Sequence, residues 1–318
     1  MRRRRHSHRR GKNHIVRNIV IGCFVMTFLF ATGYSAFQTV ISINAKGNIK
    51  EKSRVIRSWS SDSFDDFHNP QYRENIVSIT FLNTREIPNN VEESWDVSSD
   101  GKGGVIAYVK LNEEDHTKYD LFIGAKDGVI ANEISSWLFY DMKSLKQIDF
   151  NNNFDTSNAI TMESMFRACT SIKTIDISSF DTNNVTNMYG MFCFFRNEIM
   201  LSNSLREIKF GNNFNTSNVK NMGSMFAGAG NLITLDLSNF NTSNVTTTFH
   251  MFLNCQSLKT IYVSDKFTMT NVSDSPDMFI NDTNLVGGNG TTYDSNHIDK
   301  EYARIDTPST SGYFTLKQ

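Results

Sequence analysis

Apolar residues recur along this chain at a fixed period. Met-Phe pairs stand at Met165, Met191, Met225, Met251 and Met278, preceded by the variant Leu138-Phe139, at intervals of 27, 26, 34, 26 and 27 residues. The cleanest copies read MFRACTSIKTIDISSFDTNNVTNMYG from residue 165 and MFAGAGNLITLDLSNFNTSNVTTTFH from residue 225. The 34-residue copy is the same unit with an insertion over 193–204. Such a period marks one small supersecondary unit copied in tandem, each copy too small to bury its own apolar face without a neighbour.

Within the copies, several positions stay constant. Leu145, Ile172, Leu205, Leu232 and Leu258 are each followed three residues later by Ile148, Ile175, Ile208, Leu235 and Ile261. Two residues further stand Phe150, Ile177, Phe210, Leu237 and Val263. The alternation, as in Ile175-Asp176-Ile177, has the period of a strand with one buried face, so each copy is expected to add one short strand to a parallel sheet. Phe154, Phe180, Phe214, Phe240 and Phe267 form an aromatic ladder, expected to fill the corner after the strand. Four residues on, Asn158, Asn184, Asn218, Asn244 and Asn271 form a second ladder, suited to satisfying backbone groups of the turn. From Asn187 through Met188, Met191 and Phe192, apolar spacings of three and four predict a short helix, with Asn or Thr as its N-cap.

The fold class that follows is an α/β repeat solenoid, with one short parallel-sheet strand and a short helical return per coil of about 26 residues, and β-rich caps at both ends. The repeats occupy 134–283. Residues 75–133, with Val105-Ile106-Ala107-Tyr108-Val109 and Tyr119-Asp120-Leu121-Phe122-Ile123, read as the N-terminal cap, and 284–318 as the C-terminal cap. The polar stretch 46–74 reads as a spacer.

Charge divides the chain. Eight of its 32 Lys and Arg precede residue 18, leaving 24 to face 33 Asp and Glu beyond. A basic run suits nucleic acid, but here an uncharged stretch begins at once with IVIGCFVMTFLF and continues to Ala45. The expectation is therefore a basic cytoplasmic tail over 1–17 and a transmembrane signal anchor or signal peptide over 18–45, with no nucleic-acid partner. The protein is expected at the cell membrane as a single-pass chain with an extracellular C-terminal part, or secreted after cleavage near Tyr34. Val20-Ile21-Gly22-Cys23 formally matches a lipobox, yet Cys23 reads as membrane filler.

Candidate chemistry is sparse. Cys169, Cys193 and Cys255 have no paired spacing and read as small core thiols. The seven histidines are scattered and form no HExxH, and neither GxSxG nor GxxxxGK[ST] is present. Asp282, Asn284 and Asp294 beside GGNG lack EF-hand spacing. No catalytic, cofactor-binding or metal site is expected, and no cofactor. Asp176 and Asp236 lie between buried strand positions and, with Lys173, Thr174, Lys259 and Thr260, give an extended polar face. That face is either a partner-binding surface or simply solvated, and Lys173, Asp176, Asp236 and Lys259 are its candidate binding residues.

The repeated wording MFxxCxSLxxIDxSxFDTxNVTNM resembles the BspA-like family of leucine-rich-repeat surface proteins of bacteria. The likeness runs from about Trp95 to Lys317 and includes WDVS at 95–98 and the final LVGGNGTTYDSNHIDKEYARIDTPSTSGYFTLK. Phe180, Asp181, Thr182, Asn184, Val185, Thr186, Asn187 and Met188 match its motif, as do Phe240, Thr242, Ser243, Asn244, Val245 and Thr246. The resemblance implies a leucine-rich-repeat-like fold, surface exposure and, for some relatives, adhesion to host or matrix proteins and to other bacteria. It offers no catalytic residues. The 34-residue copy and the last one, with KFTMTN from Lys266, depart from the pattern, and no LPxTG sorting signal follows Phe314. The expected function is binding of an extracellular protein or glycan, as an adhesin. A structural envelope module without its own ligand, and a secreted enzyme, are the competing readings.

Overall fold

The computed structural model describes residues 41–43, 49–51, 53–59 and 65–317. The chain divides into two units, Met1–Glu51 and Lys52–Gln318. In the first, strand β1 (Ile41–Ile43) pairs antiparallel with β2 (Ile49–Glu51). The basic tail and almost all of the expected anchor over 18–45 lie outside the described residues. The part of that segment that is described is extended and bonded to a neighbouring strand, so it does not continue a helix. Among the described residues no helix is long and apolar enough to cross a membrane. The single-pass membrane location drawn from a transmembrane helix is therefore not supported.

The second unit opens with residues 53–59, where Val55 bridges Ile130 and Ile56 bridges Ser98. Helix α1 (Pro70–Arg73) follows, started by Asn69, whose side chain accepts the Gln71 N–H, with Pro70 in the first turn. A five-stranded sheet has the order β4-β5-β6-β3-β8. Its strands are β3 (Ile76–Leu82), β4 (Glu93–Asp96), β5 (Val105–Leu111), β6 (Tyr119–Ala125) and β8 (Gln147–Asp149). Alternating Val105, Ala107 and Val109 pack with Leu121, Ile123 and Ala125 in the core. Because β8 joins β3 in parallel register, Ile79 opposite Ile148, this sheet continues directly into the first copy of the repeat. Strand β7 (Val129–Ile130) pairs likewise with β9 (Phe154–Asp155).

Beyond β8 the chain departs from the expected α/β solenoid. The described residues contain one α-helix, the four-residue α1, and none within the repeats. Met191 and Phe192 sit in a turn with Met188 just before it, and the three-and-four spacing that reads as a helix accompanies a left-handed residue before the pair in every copy and a second one after it in all but the Met191 copy. Trp137, Ser164, Gly190, Ser224, His250 and Asp277 have φ between 54° and 66°, each just before the Leu or Met of the pair. Asp141, Ala168, Gly228, Asn254 and Asn281 repeat the feature three residues after it. A right-handed helix cannot pass through such a residue without losing its bonds. The N–H groups go instead to the following copy: Met162 to Asn187 O, Ser164 to Tyr189 O, Phe166 to Met191 O and Ala168 to Cys193 O, at 2.8–3.0 Å. Parallel bridges run on from Ile134 through Thr161, Asn187, Asn221 and Thr247 to Asp274.

The strands of the repeats do not form the single parallel sheet expected of them. β10 (Thr174–Ile177) pairs with β13 (Glu207–Phe210), and β14 (Thr234–Leu237) pairs with β15 (Thr260–Val263) and β16 (Phe314–Leu316). The insertion folds into a hairpin of β11 (Phe195–Arg196) and β12 (Ile199–Met200), whose turn residues Asn197 and Glu198 both have positive φ.

Side chains tie the copies together along three lines. Phe139, Phe166, Phe192, Phe226, Phe252 and Phe279 stack continuously at 5.4–5.7 Å between centroids, each contact worth on the order of 1 kcal/mol beyond its burial. The corner residues Phe154, Phe180, Phe214, Phe240 and Phe267 are all buried. Two residues after them, the buried Thr156, Thr182, Thr216 and Thr242 link each copy to the next. The Thr216 hydroxyl donates to Asn241 O at 2.9 Å and accepts the Asn241 N–H at 2.8 Å, and the other three do the same with Asp181, Asn215 and Thr268. On the exposed side, Asn184, Asn218, Asn244 and Asn271 donate backward to carbonyls of the preceding copy, Ser157, Asn183, Ser217 and Ser243. Asn158, the first of that series, is exposed.

Four residues after Met165, Met225 and Met251 lies a small buried side chain, Cys169, Ala229 and Cys255, whereas the copy with the insertion has Phe195 there. Burial pushes the Cys169 thiol up to about 12 and the Cys255 thiol well above its usual value. In the last copy this place is taken by Asp282, fully buried, with one oxygen accepting the Cys255 N–H at 2.8 Å and the other without a partner. Burial drives its carboxyl well above the ordinary range, and the single N–H offsets this only in part.

Three outcomes are expected. Thr216→Val keeps the shape but strands the Asn241 N–H and carbonyl, so urea denaturation should show a loss of roughly 1–3 kcal/mol. Asn244→Ala, at an exposed site where water replaces the amide, should cost under about 1 kcal/mol. For Asp282, the folded chain retains a proton that the unfolded chain releases above its ordinary value of 3.8. Its contribution is thus fully present below that pH and is lost as pH rises toward the folded value. Asp282→Asn should unfold at a higher urea concentration than the parent at pH 7, with the difference shrinking to nothing near pH 3.5.

Candidate functional site

The strand row is broken by a difference of one residue. Between the last apolar residue of the strand and the corner Phe there are three residues after Phe150, Phe210 and Val263, but two after Ile177 and Leu237. Long and short corners therefore alternate. Each short-corner strand bonds to the long-corner strand after it: Ile177 lies opposite Phe210 and Leu237 opposite Val263. The extra residue supplies an added acceptor at these junctions, since the Thr182 N–H reaches Asn213 O at 3.3 Å and the Thr242 N–H reaches Lys266 O at 3.2 Å. At Gly211 the long corner folds back so tightly that a Cβ would stand 1.8 Å from Ser178 O. A long-corner strand is thereby drawn toward the copy before it and away from the copy after it. β8 and β10 belong to different sheets, and so do β13 and β14.

Between β13 and β14 lies an open groove of about 710 Å³. Half-buried Ile208 and Phe210 and exposed Ile233 give it apolar surface, and Thr234, Ser238, Asn212 and Asn239 give it hydrogen-bonding groups. Its charges are Arg206, Glu207, Lys209, Asp236 and Lys317. Most are compensated. Lys209 stands 3.9 Å from Asp176 and 4.0 Å from Glu207, and Lys317 is bonded to Asp236. Burial raises the Asp236 carboxyl, but the Lys317 ammonium and the Ser238 hydroxyl and N–H outweigh it, so the group is held below its usual range. Asn239 Nδ2 reaches Gly211 O across the groove at 3.4 Å.

The four candidate face residues are spread over this surface. Asp236 lines the groove. Lys259 lines an adjoining pocket of about 520 Å³, which shares Arg206 and Ile233 with the groove. Asp176 lies one strand away, paired with Lys209 and accepting the Ser178 hydroxyl at 2.6 Å. Lys173 is exposed, and its carbonyl accepts the N–H groups of Arg206 and Glu207. Sequence reasoning missed Arg206, Lys209, Ile233 and Lys317. The first three occupy repeat positions aligned with named ones, so the repeat alignment carried their signal. Lys317 carried none, because it arrives on a strand far away in sequence.

Elsewhere, His68 and Asp66 are buried together, Nδ1 at 2.8 Å from the carboxylate and Nε2 at 3.0 Å from Leu138 O, so both ring nitrogens are engaged in holding the turn. Asp294 is exposed and bonded to Asn296, and Asn284 donates to Gln256 O. Among the described residues no group of three or more His, Cys, Asp or Glu could hold a metal ion.

No curated protein and no solved structure matches the chain. A family profile does, over residues 131–200 and 193–291, half of the chain and the whole of its repeating part. The protein with the broken strand row thus belongs to the family described as Mycoplasma protein of unknown function, DUF285.

Proposed function

We propose that this protein binds rather than transforms, holding a protein or glycan ligand in the groove between Glu207–Phe210 and Thr234–Leu237 in the manner of a BspA-like adhesin. The observation that carries the reading is the break between β13 and β14, which turns a strand face into a trough. Apolar Ile208, Phe210 and Ile233 offer contact area, while neutral hydroxyls and amides and paired ions fix orientation, a mixture suited to recognition. The family resemblance of the repeats supports adhesion as the purpose.

The test is attachment of the full-length protein to immobilised matrix glycoproteins and polysaccharides. Lys209→Glu combined with Asp236→Lys should lower attachment at least fivefold. Both residues are exposed, so the unfolding free energy measured in urea should change by less than about 0.5 kcal/mol. A folded double variant that attaches as well as the parent would exclude this groove.

A further inference from the structure

One row of charges beside the strands forms no ion pair among the described residues. In each copy the residue after the conserved Leu or Ile directly precedes the strand, and in order these are Lys146, Lys173, Arg206, Ile233 and Lys259. All five are exposed, Ile233 by 57%. None of the four cations makes an ion pair or a side-chain hydrogen bond among the described residues. Three positions further along, the row Asp149, Asp176, Lys209, Asp236 and Tyr262 behaves differently. There Asp149 accepts from Gln147, Asp176 faces Lys209, and Asp236 holds Lys317. The two rows lie roughly 10 Å apart along the strands.

We infer that the row Lys146, Lys173, Arg206 and Lys259 is a track for an anionic polysaccharide, a linear glycan carrying carboxylate or sulfate groups. The inference rests on the reading of the strand face as a binding surface and names its ligand class. Lys173 and Arg206 precede bonded strands about 4.8 Å apart, and Lys146 and Lys259 extend the same repeat position on either side across the breaks in the strand row. The main chain fixes the line: the Arg206 N–H donates to Lys173 O and the Lys259 N–H to Ile233 O, both at 2.8 Å.

The pocket at the end of this row selects among polyanions. Its lining contains Arg206 and Lys259 and no acid. Around them stand Asn231, Ser257, Thr283, Asn284 and Thr292, short neutral side chains that match ligand hydroxyls. Exposed Ile233 between the two cations offers an apolar patch for the C–H face of a sugar ring. No aromatic ring lines the pocket, so it has no platform on which a nucleic-acid base could stack.

The test measures binding of the full-length protein, with the eight Arg and Lys before residue 18 replaced by Ser so that the tail contributes nothing. The probes are a heparin-type sulfated polysaccharide, polygalacturonate, neutral dextran, poly-glutamate and a single-stranded oligonucleotide. One or both anionic polysaccharides should bind and dextran should not, and the stronger of the two identifies the anionic group. The triple variant Lys173→Ala, Arg206→Ala, Lys259→Ala should bind at least tenfold more weakly with its urea midpoint retained, as should the parent in high salt. Arg206→Lys should restore part of the loss when the other two cations are present. Unchanged binding by the triple variant would overturn the inference, as would tighter binding of poly-glutamate or the oligonucleotide than of either polysaccharide. If no polyanion binds while glycoprotein attachment still depends on Lys209 and Asp236, the track fails and the groove stands. If neither depends on the strand face, both readings fall together.

Discussion

Around its Met-Phe pair, each copy of the repeat gives alternate backbone N–H groups to the copy that follows. A chain with little regular structure must satisfy these groups somewhere, and an unmatched buried one costs about as much as the hydrogen bond it lacks. Left-handed residues on both sides of the Met-Phe pair aim alternate N–H groups at the next copy, as from Ser164 to Tyr189 and from Ser224 to Phe249. The buried threonines close the accounting at the corner, where the backbone turns and no strand partner is available. Packing then follows from hydrogen bonding: with the copies held in register, Phe166, Phe192, Phe226 and Phe252 stack almost flat, within 8° of parallel.

The copy boundaries were legible in the sequence because burial repeats with the chain. Met-Phe, the corner Phe and the Asn four residues later recur at spacings that chance does not maintain. The backbone was not legible. Apolar residues three and four apart arise from a helix and equally from a chain that reverses at two left-handed residues. Ser164, Ala168 and His250 bear no mark of positive φ, since glycine stands at the equivalent places only in Gly190 and Gly228. The threonine ladder was in view as FDT, FDT, FNT and FNT, yet Thr is common in turns, and only its burial distinguishes it from a solvated hydroxyl.

The candidate site was half visible for a related reason. Asp236 and Lys259 stand out as polar residues beside buried ones. That they border cavities depends on where the strand row splits, and the split depends on a single residue of corner length. The closeness of Gly211 to Ser178 gives that residue its effect, and it joins positions 33 apart in sequence. Charge added a second layer. The acidic row is neutralised partly by Lys209, which replaces an acid in its own row, and partly by Lys317 from the closing strand.

The alternation of long and short corners also sets the unit in which such a chain can grow. A short-corner strand needs a long-corner partner after it, so the element that duplicates cleanly is a pair of copies, near Thr174–Phe210 or Thr234–Val263. Gain or loss of one copy would set two corners of like length side by side, altering a junction and with it the trough. Gain or loss of a pair would leave every junction intact and change the number of troughs by one. The number of troughs in a chain built this way therefore changes in steps of two copies.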